Sequence, residues 1–169
     1  MSTLTHKSIQ EGRKILRANA LEDEVQSAIE EYLFIQKVPH TITNAKEAYS
    51  RYGRRIEVVE EGWPDITCVE PGTGDGHPSL GGKLLAIECK RAQGGVLEYE
   101  QAICLQMLWE AKAIIVIARS IDDVIEARRT GRPTQAMINE ILMAIAKGPN
   151  LKKKQRRAAE RIQRTRRRR

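Results

Sequence analysis

The sequence predicts an α/β fold, a central mixed β-sheet flanked by helices. Three observations lead there. A helical apolar stripe near the N-terminus is followed by short apolar strands on either side of a Gly- and Pro-rich loop at 70–83. A continuous run of branched residues at 113–118 reads as a buried strand, set off by helical spacing on both sides. The chain has 169 residues, 41% hydrophobic and 30% charged, which suits one globular domain with its own core.

Residues 1–20 are polar and read as an N-terminal extension. A helix is expected over 21–37, where Leu21, Val25, Ala28, Ile29, Tyr32 and Leu33 recur at helical spacing and Pro39 stops it. Residues 40–54 are polar with no clear period, and 55–60 suits a short strand. A strand over 65–69 precedes the loop 70–83, and a strongly apolar strand follows over 84–90. These two would pair as an antiparallel hairpin. Asp65 and Glu88 are equidistant from the middle of the loop, so a symmetric hairpin sets them opposite each other. A helix over 97–111 carries Ile103, Leu105, Leu108 and Trp109. After the 113–118 strand, Ser120 and Asp123 resemble an N-cap with an acidic first turn, opening a helix to about residue 129. Gly131-Arg132-Pro133 breaks it and starts another, to about residue 147. No internal repeat is visible. One domain thus spans 21–148, and 149–169 is a basic tail.

The net charge of +7 is unevenly placed. Residues 151–169 hold 11 Lys or Arg and one Glu, leaving 18 basic and 21 acidic residues to the rest, so the tail is +10 and the remainder −3. A cationic block of this kind suits a polyanion, because each phosphate contact releases counterions. The longest apolar run is far too short to span a bilayer, and the N-terminus lacks the apolar stretch of a secretion signal. Cys68, Cys89 and Cys104 are odd in number and widely spaced, so neither a zinc ribbon nor a disulfide framework is indicated. His6, His40 and His77 lack partners at ligand spacing and are expected on the surface. Gly72-Thr73-Gly74-Asp75-Gly76 lacks the helix with Lys and Ser or Thr that a phosphate-cradling loop needs.

The chemistry concentrates in Gly62-Trp63-Pro64-Asp65 and, 23 residues after Asp65, Glu88-Cys89-Lys90. On a strand, Glu88 and Lys90 point to one side and Cys89 to the other. Two carboxylates are hard oxygen ligands for a divalent metal, and a neighbouring ammonium can orient a water. An uncompensated carboxylate on an interior strand would cost several kcal/mol or shift its pKa, so a metal or cation is expected beside Glu88. Trp63 either packs in the core or wedges against a nucleotide, and the core is the expectation.

In this order, and with Gly94-Gly95-Val96-Leu97-Glu98-Tyr99-Glu100-Gln101 and the 120–124 segment following, the chain resembles the VRR-NUC branch of the PD-(D/E)XK nuclease superfamily over 21–127. The resemblance implies a restriction-endonuclease-like core and a DNA endonuclease dependent on Mg²⁺ or Mn²⁺, structure-specific on branched DNA such as four-way junctions or flaps. It implies that Asp65, Glu88 and the carbonyl of Cys89 hold the metal, that Lys90 is the catalytic lysine, and that Gln101 lines the site. The acidic residue of the first helix is matched by Glu24, although on a helical wheel Glu22 lies nearer the centre of the apolar stripe. A homodimer, a role in DNA recombination or repair, and a home in bacterial or phage-host cytoplasm are further expectations of the resemblance. Arg51, Arg54, Arg55, Arg91, Lys152, Lys153, Lys154, Arg156 and Arg157 are the expected nucleic-acid contacts. The main alternative is a non-catalytic nucleic-acid-binding protein working through its tail, and a third reading makes the tail a docking arm for an acidic protein.

Overall fold

The computed structural model describes residues 21–43 and 61–149, together with the backbone of two short strands at 48–49 and 55–56. The expected contacts Arg51, Arg54, Lys152, Lys153, Lys154, Arg156 and Arg157, the extension 1–20 and the tail beyond 149 lie outside the described residues, and Arg55 is described in its backbone alone.

In chain order the elements are α1 (Glu22–Ile35), β1 (His40–Ile42), β2 (Ala48–Tyr49), β3 (Arg55–Ile56), β4 (Ile66–Val69), β5 (Leu84–Cys89), α2 (Tyr99–Glu110), β6 (Ile114–Ala118), α3 (Ile121–Thr130) and α4 (Gln135–Lys147). β2 and β3 pair with each other in a small antiparallel ribbon. The main sheet runs β1-β4-β5-β6, with the first two pairings antiparallel and the last parallel. It is the mixed sheet expected, with one strand, β1, that the polar run 40–54 did not announce.

The strand chemistry explains the layering. Every residue of β6 is buried, as is all of β5 after its first residue, so both faces of these central strands are covered. Two helix pairs do the covering: α1 packs with α3 and α2 with α4, and members of each pair rest on β5 or β6. The α1 stripe predicted from spacing is the buried one, Val25, Ile29, Tyr32 and Leu33. α3 ends where Gly131 takes the left-handed conformation, with its N–H bonded to the Ala127 carbonyl. Thr134 caps α4 by accepting the Met137 N–H, so Pro133 stands just before that helix instead of in its first turn.

The hairpin register follows the loop-midpoint argument. Ile66 pairs with Ile87 and Val69 with Leu84, so one step beyond the last pair Asp65 lies opposite Glu88. The parallel pairing sets Glu88 beside Ile117 and Cys89 beside Ala118. The C-terminal ends of β5 and β6 and the N-termini of α2 and α3 therefore meet at one edge of the sheet. In open α/β sheets that edge is where ligands are usually bound. The intervening loop is not featureless: Pro78–Leu80 forms a 3₁₀ turn and Leu80 joins the core.

Candidate active site

Asp65 stands at the mouth of β4, buried to within 9% of full cover, and its Oδ2 accepts the Cys89 N–H at 2.7 Å. That bond has a simple origin. The ladder between β4 and β5 ends at Ile66 and Ile87, so the Cys89 amide has no strand partner on that side and the carboxylate takes its place. The segment before β4 is clamped from β1 as well. The Thr43 amide donates to the Asp65 carbonyl at 2.8 Å, and the Thr43 hydroxyl donates to the Pro64 carbonyl.

Glu88 is fully buried. Its Oε1 accepts from the Lys90 ammonium at 2.6 Å and from the Gln101 amide. Its Oε2 is the one buried side-chain oxygen or nitrogen among the described residues without a hydrogen-bond partner. Burial, and next the Asp65 carboxylate, push the Glu88 carboxyl up to about 8 against the pull of Lys90. Burial pulls Lys90 down, but the charge and hydrogen bond of Glu88 carry it further the other way, so the ammonium holds its proton more firmly than an ordinary lysine. The pair is thus a retained cation beside a carboxylate that lacks enough positive charge.

Gln101 is held by α2 itself. Glu98 is the N-cap, and its N–H donates to the Gln101 Oε1 at 3.0 Å, which turns the amide nitrogen toward Glu88. The first turn of α2 is in turn braced by Gly62. A Cβ built there would lie 2.5 Å from the Glu100 carbonyl, and φ is +92°, so only glycine lets the turn approach so closely.

The two acidic residues of α1 named by the sequence differ in their surroundings. Glu24 is exposed and its carboxylate accepts the Leu21 N–H at 2.9 Å, closing the N-terminus of α1. Glu22 is half-buried, and its charge acts on Glu88, Cys89 and Lys90. Two positions apart on a helix, the two residues face in nearly opposite directions, and Glu22 shares the face of Val25 and Ile29. Of the sequence-predicted set the fold brings together Asp65, Glu88, Cys89, Lys90 and Gln101, and leaves Glu24 aside. Arg91 is exposed just beyond Lys90.

No group of three His, Cys, Asp or Glu side chains suited to a metal converges among the described residues. The orphaned Oε2 of Glu88, with Asp65 opposite in the strand register, nevertheless leaves a hard oxygen donor open to a divalent cation. Trp63 corrects an expectation: it is 36% exposed, outside the core, while its neighbours Pro64 and Asp65 are buried. Sequence reasoning missed a second buried charge cluster. Arg128 donates to both carboxylate oxygens of Glu70, at 2.7 and 3.1 Å, and to the Tyr32 hydroxyl at 2.7 Å, with both charged side chains fully buried. No family model matches the chain, no curated protein matches it, and no solved structure matches it.

Proposed function

We propose that the protein is a divalent-metal-dependent DNA endonuclease of the VRR-NUC type, structure-specific on branched DNA. The observation that carries this reading is Glu88: a buried carboxylate with one oxygen held by Lys90 and Gln101 and the other left without a partner, opposite Asp65. An acceptor buried in that way costs on the order of 1–3 kcal/mol unless a ligand satisfies it. A structural role for Glu88 gives no account of that cost.

Asp65, Glu88 and the Cys89 carbonyl would hold Mg²⁺ or Mn²⁺, with Glu22 the helix-borne acid best placed to join them in preference to Glu24. The chemistry such a cation would supply there is a more acidic water and neutralisation of charge on the scissile phosphate. Lys90 has three N–H donors and uses one on Glu88, so it can direct another at the attacking water or at the phosphoryl oxygens as they gain charge. The water oxygen would form the new bond to phosphorus as its proton passes to bulk water, and the bond to the 3′ oxygen would break with that oxygen taking a proton from solvent, leaving a 5′-phosphate and a 3′-hydroxyl. Gln101 holds Glu88 in one orientation, and the Cys89 amide does the same for Asp65. The +10 tail and Arg91 would supply sequence-independent attraction to the backbone. A homodimer would double both elements.

The test is incubation with labelled linear, flapped and four-way-junction DNA in Mg²⁺, Mn²⁺ or EDTA, beside Asp65→Asn and Lys90→Ala. Metal-dependent cuts lost in both variants support the reading, and the ranking of substrates names the preferred structure. Binding without cleavage on every substrate, equal in wild type and variants, overturns it and leaves a nucleic-acid-binding protein acting through its tail.

A further inference from the structure

We infer that Trp63 is a stacking platform for an unpaired nucleobase beside the scissile phosphate, and that it makes the site favour DNA with an unstacked nucleotide at the cut. The inference rests on the nuclease reading above and names a specificity determinant within it.

Trp63 precedes Asp65 by two residues, and two residues of extended chain span at most about 7 Å, so the indole is rooted at the rim of the carboxylate pair. Large aromatic side chains are mostly buried on average, and the flanking Pro64 and Asp65 are buried here, yet Trp63 keeps 36% of its surface in solvent.

The backbone on both sides of Trp63 is held. Behind Trp63, the turn at Gly62 is seated against the first turn of α2, where even a methyl group would collide with the Glu100 carbonyl. Ahead of it, Pro64 has a restricted φ, and Thr43 bonds both the Pro64 and Asp65 carbonyls. The backbone that presents the ring is thus fixed on the same piece of structure that aims Gln101 at Glu88. A ring carried on a fixed backbone loses less freedom when a ligand covers it than one on a mobile loop.

The occupant follows from the reaction. With the scissile phosphate at Asp65 and Glu88, the nucleoside on either side lies within reach of the rim. In an intact duplex its base is stacked between neighbours and offers no face, whereas a base at a flap, gap or junction does. Every base has such a face, so the preference would be for structure and not for sequence. Trp109 is the internal control. It is similarly exposed, at 38%, but lies near the far end of α2, about 15 Å along the axis from the turn that meets Gly62.

The experiment has two arms. In the first, Trp109→Phe leaves Trp63 as the single tryptophan, and its fluorescence is followed in EDTA, without cleavage, on addition of oligothymidylate, a flapped duplex or a blunt duplex. Quenching by the first two and not by the blunt duplex is expected; equal quenching by all three, or by none, overturns the inference. In the second, Trp63→Ala should lower kcat/KM on flapped or junction DNA about 5- to 150-fold, the worth of stacking one base, with little change on linear duplex and recovery in Trp63→Phe. Cutting by wild type with an unchanged ratio of substrates in Trp63→Ala overturns the stacking and keeps the nuclease. Selective quenching in a wild type that cuts no DNA keeps the stacking and removes the nuclease. Circular dichroism of both Trp63 variants separates these results from a folding defect.

Discussion

Two clusters of buried charge sit at opposite ends of β4, and they are finished to different degrees. At the end where Glu70 follows Val69, Arg128 donates to both oxygens of Glu70, to Tyr32 and to the Thr73 carbonyl, and lies over the Tyr32 ring at 5.6 Å. The Gly72 N–H adds a further bond to Glu70 at 3.1 Å. At the other end, beside Asp65, Glu88 has Lys90 and Gln101 on one oxygen and nothing on the other. Native interiors satisfy buried polar atoms almost without exception, because an unmade bond costs more than a made one contributes. The chain can evidently close a buried ion pair completely, and does so where the task is to pin the 70–83 loop to α1 and α3. The open acceptor at Glu88 is thus better read as a place kept for a ligand than as poor packing.

The sharpest way to break this contrast is Glu88→Gln. Cleavage should fall on the order of a thousandfold while DNA binding persists. A variant that cuts at the wild-type rate would make Glu88 merely structural, like Glu70. Arg128→Met is the counterpart at the closed cluster. It strands the Glu70 carboxylate and should cost about 3–5 kcal/mol in urea denaturation, with the cutting rate per folded molecule unchanged. Loss of activity without loss of stability would show that the two ends are not independent. Gln101→Ala is expected to be milder: the Mg²⁺ concentration for half-maximal cutting should rise about 10- to 100-fold, as is usual when an outer hydrogen bond to a metal ligand is removed. An unchanged Mg²⁺ titration would reduce Gln101 to a helix cap.

The remaining comparison is in the pH dependence. The Glu88 carboxyl is raised from 4.5 to about 8, so the folded protein keeps a proton that the unfolded chain releases. That stabilisation is complete below about pH 4.5 and is lost as pH rises toward 8. Thermal melts without metal should therefore show a decline between pH 5 and 8 that is absent in Glu88→Gln, and added Mg²⁺ should flatten it. Identical profiles for wild type and variant would mean that Glu88 is already compensated.

Some of this was legible beforehand, for physical reasons tied to particular residues. β5 and β6 were readable because strands buried on both faces need continuous apolar runs. The opposition of Asp65 and Glu88 was readable because an antiparallel hairpin conserves the sum of its paired residue numbers, and the loop between them added no net shift. The edge strand β1 was not, since half-exposed polar residues carry no period. Nor was Arg128. It is adjacent to Arg129, yet one is fully buried against Glu70 and the other pairs at the surface with Glu126, and no local pattern separates them.

The sequence by itself therefore determined the fold class, the hairpin pairing and the grouping of Asp65, Glu88 and Lys90, because those depend on side-chain alternation and local spacing, while Gln101 was expected there only from the resemblance. Only the tertiary structure decided which buried charges are satisfied, that Glu22 is half-buried with its charge felt at Glu88 while Glu24 closes the start of α1, and that Trp63 stands in solvent two residues from Asp65. Each of these depends on which groups from distant segments arrive to accept a hydrogen bond, share a field or cover a ring. Such arrivals are set by packing, which spacing along the chain does not encode.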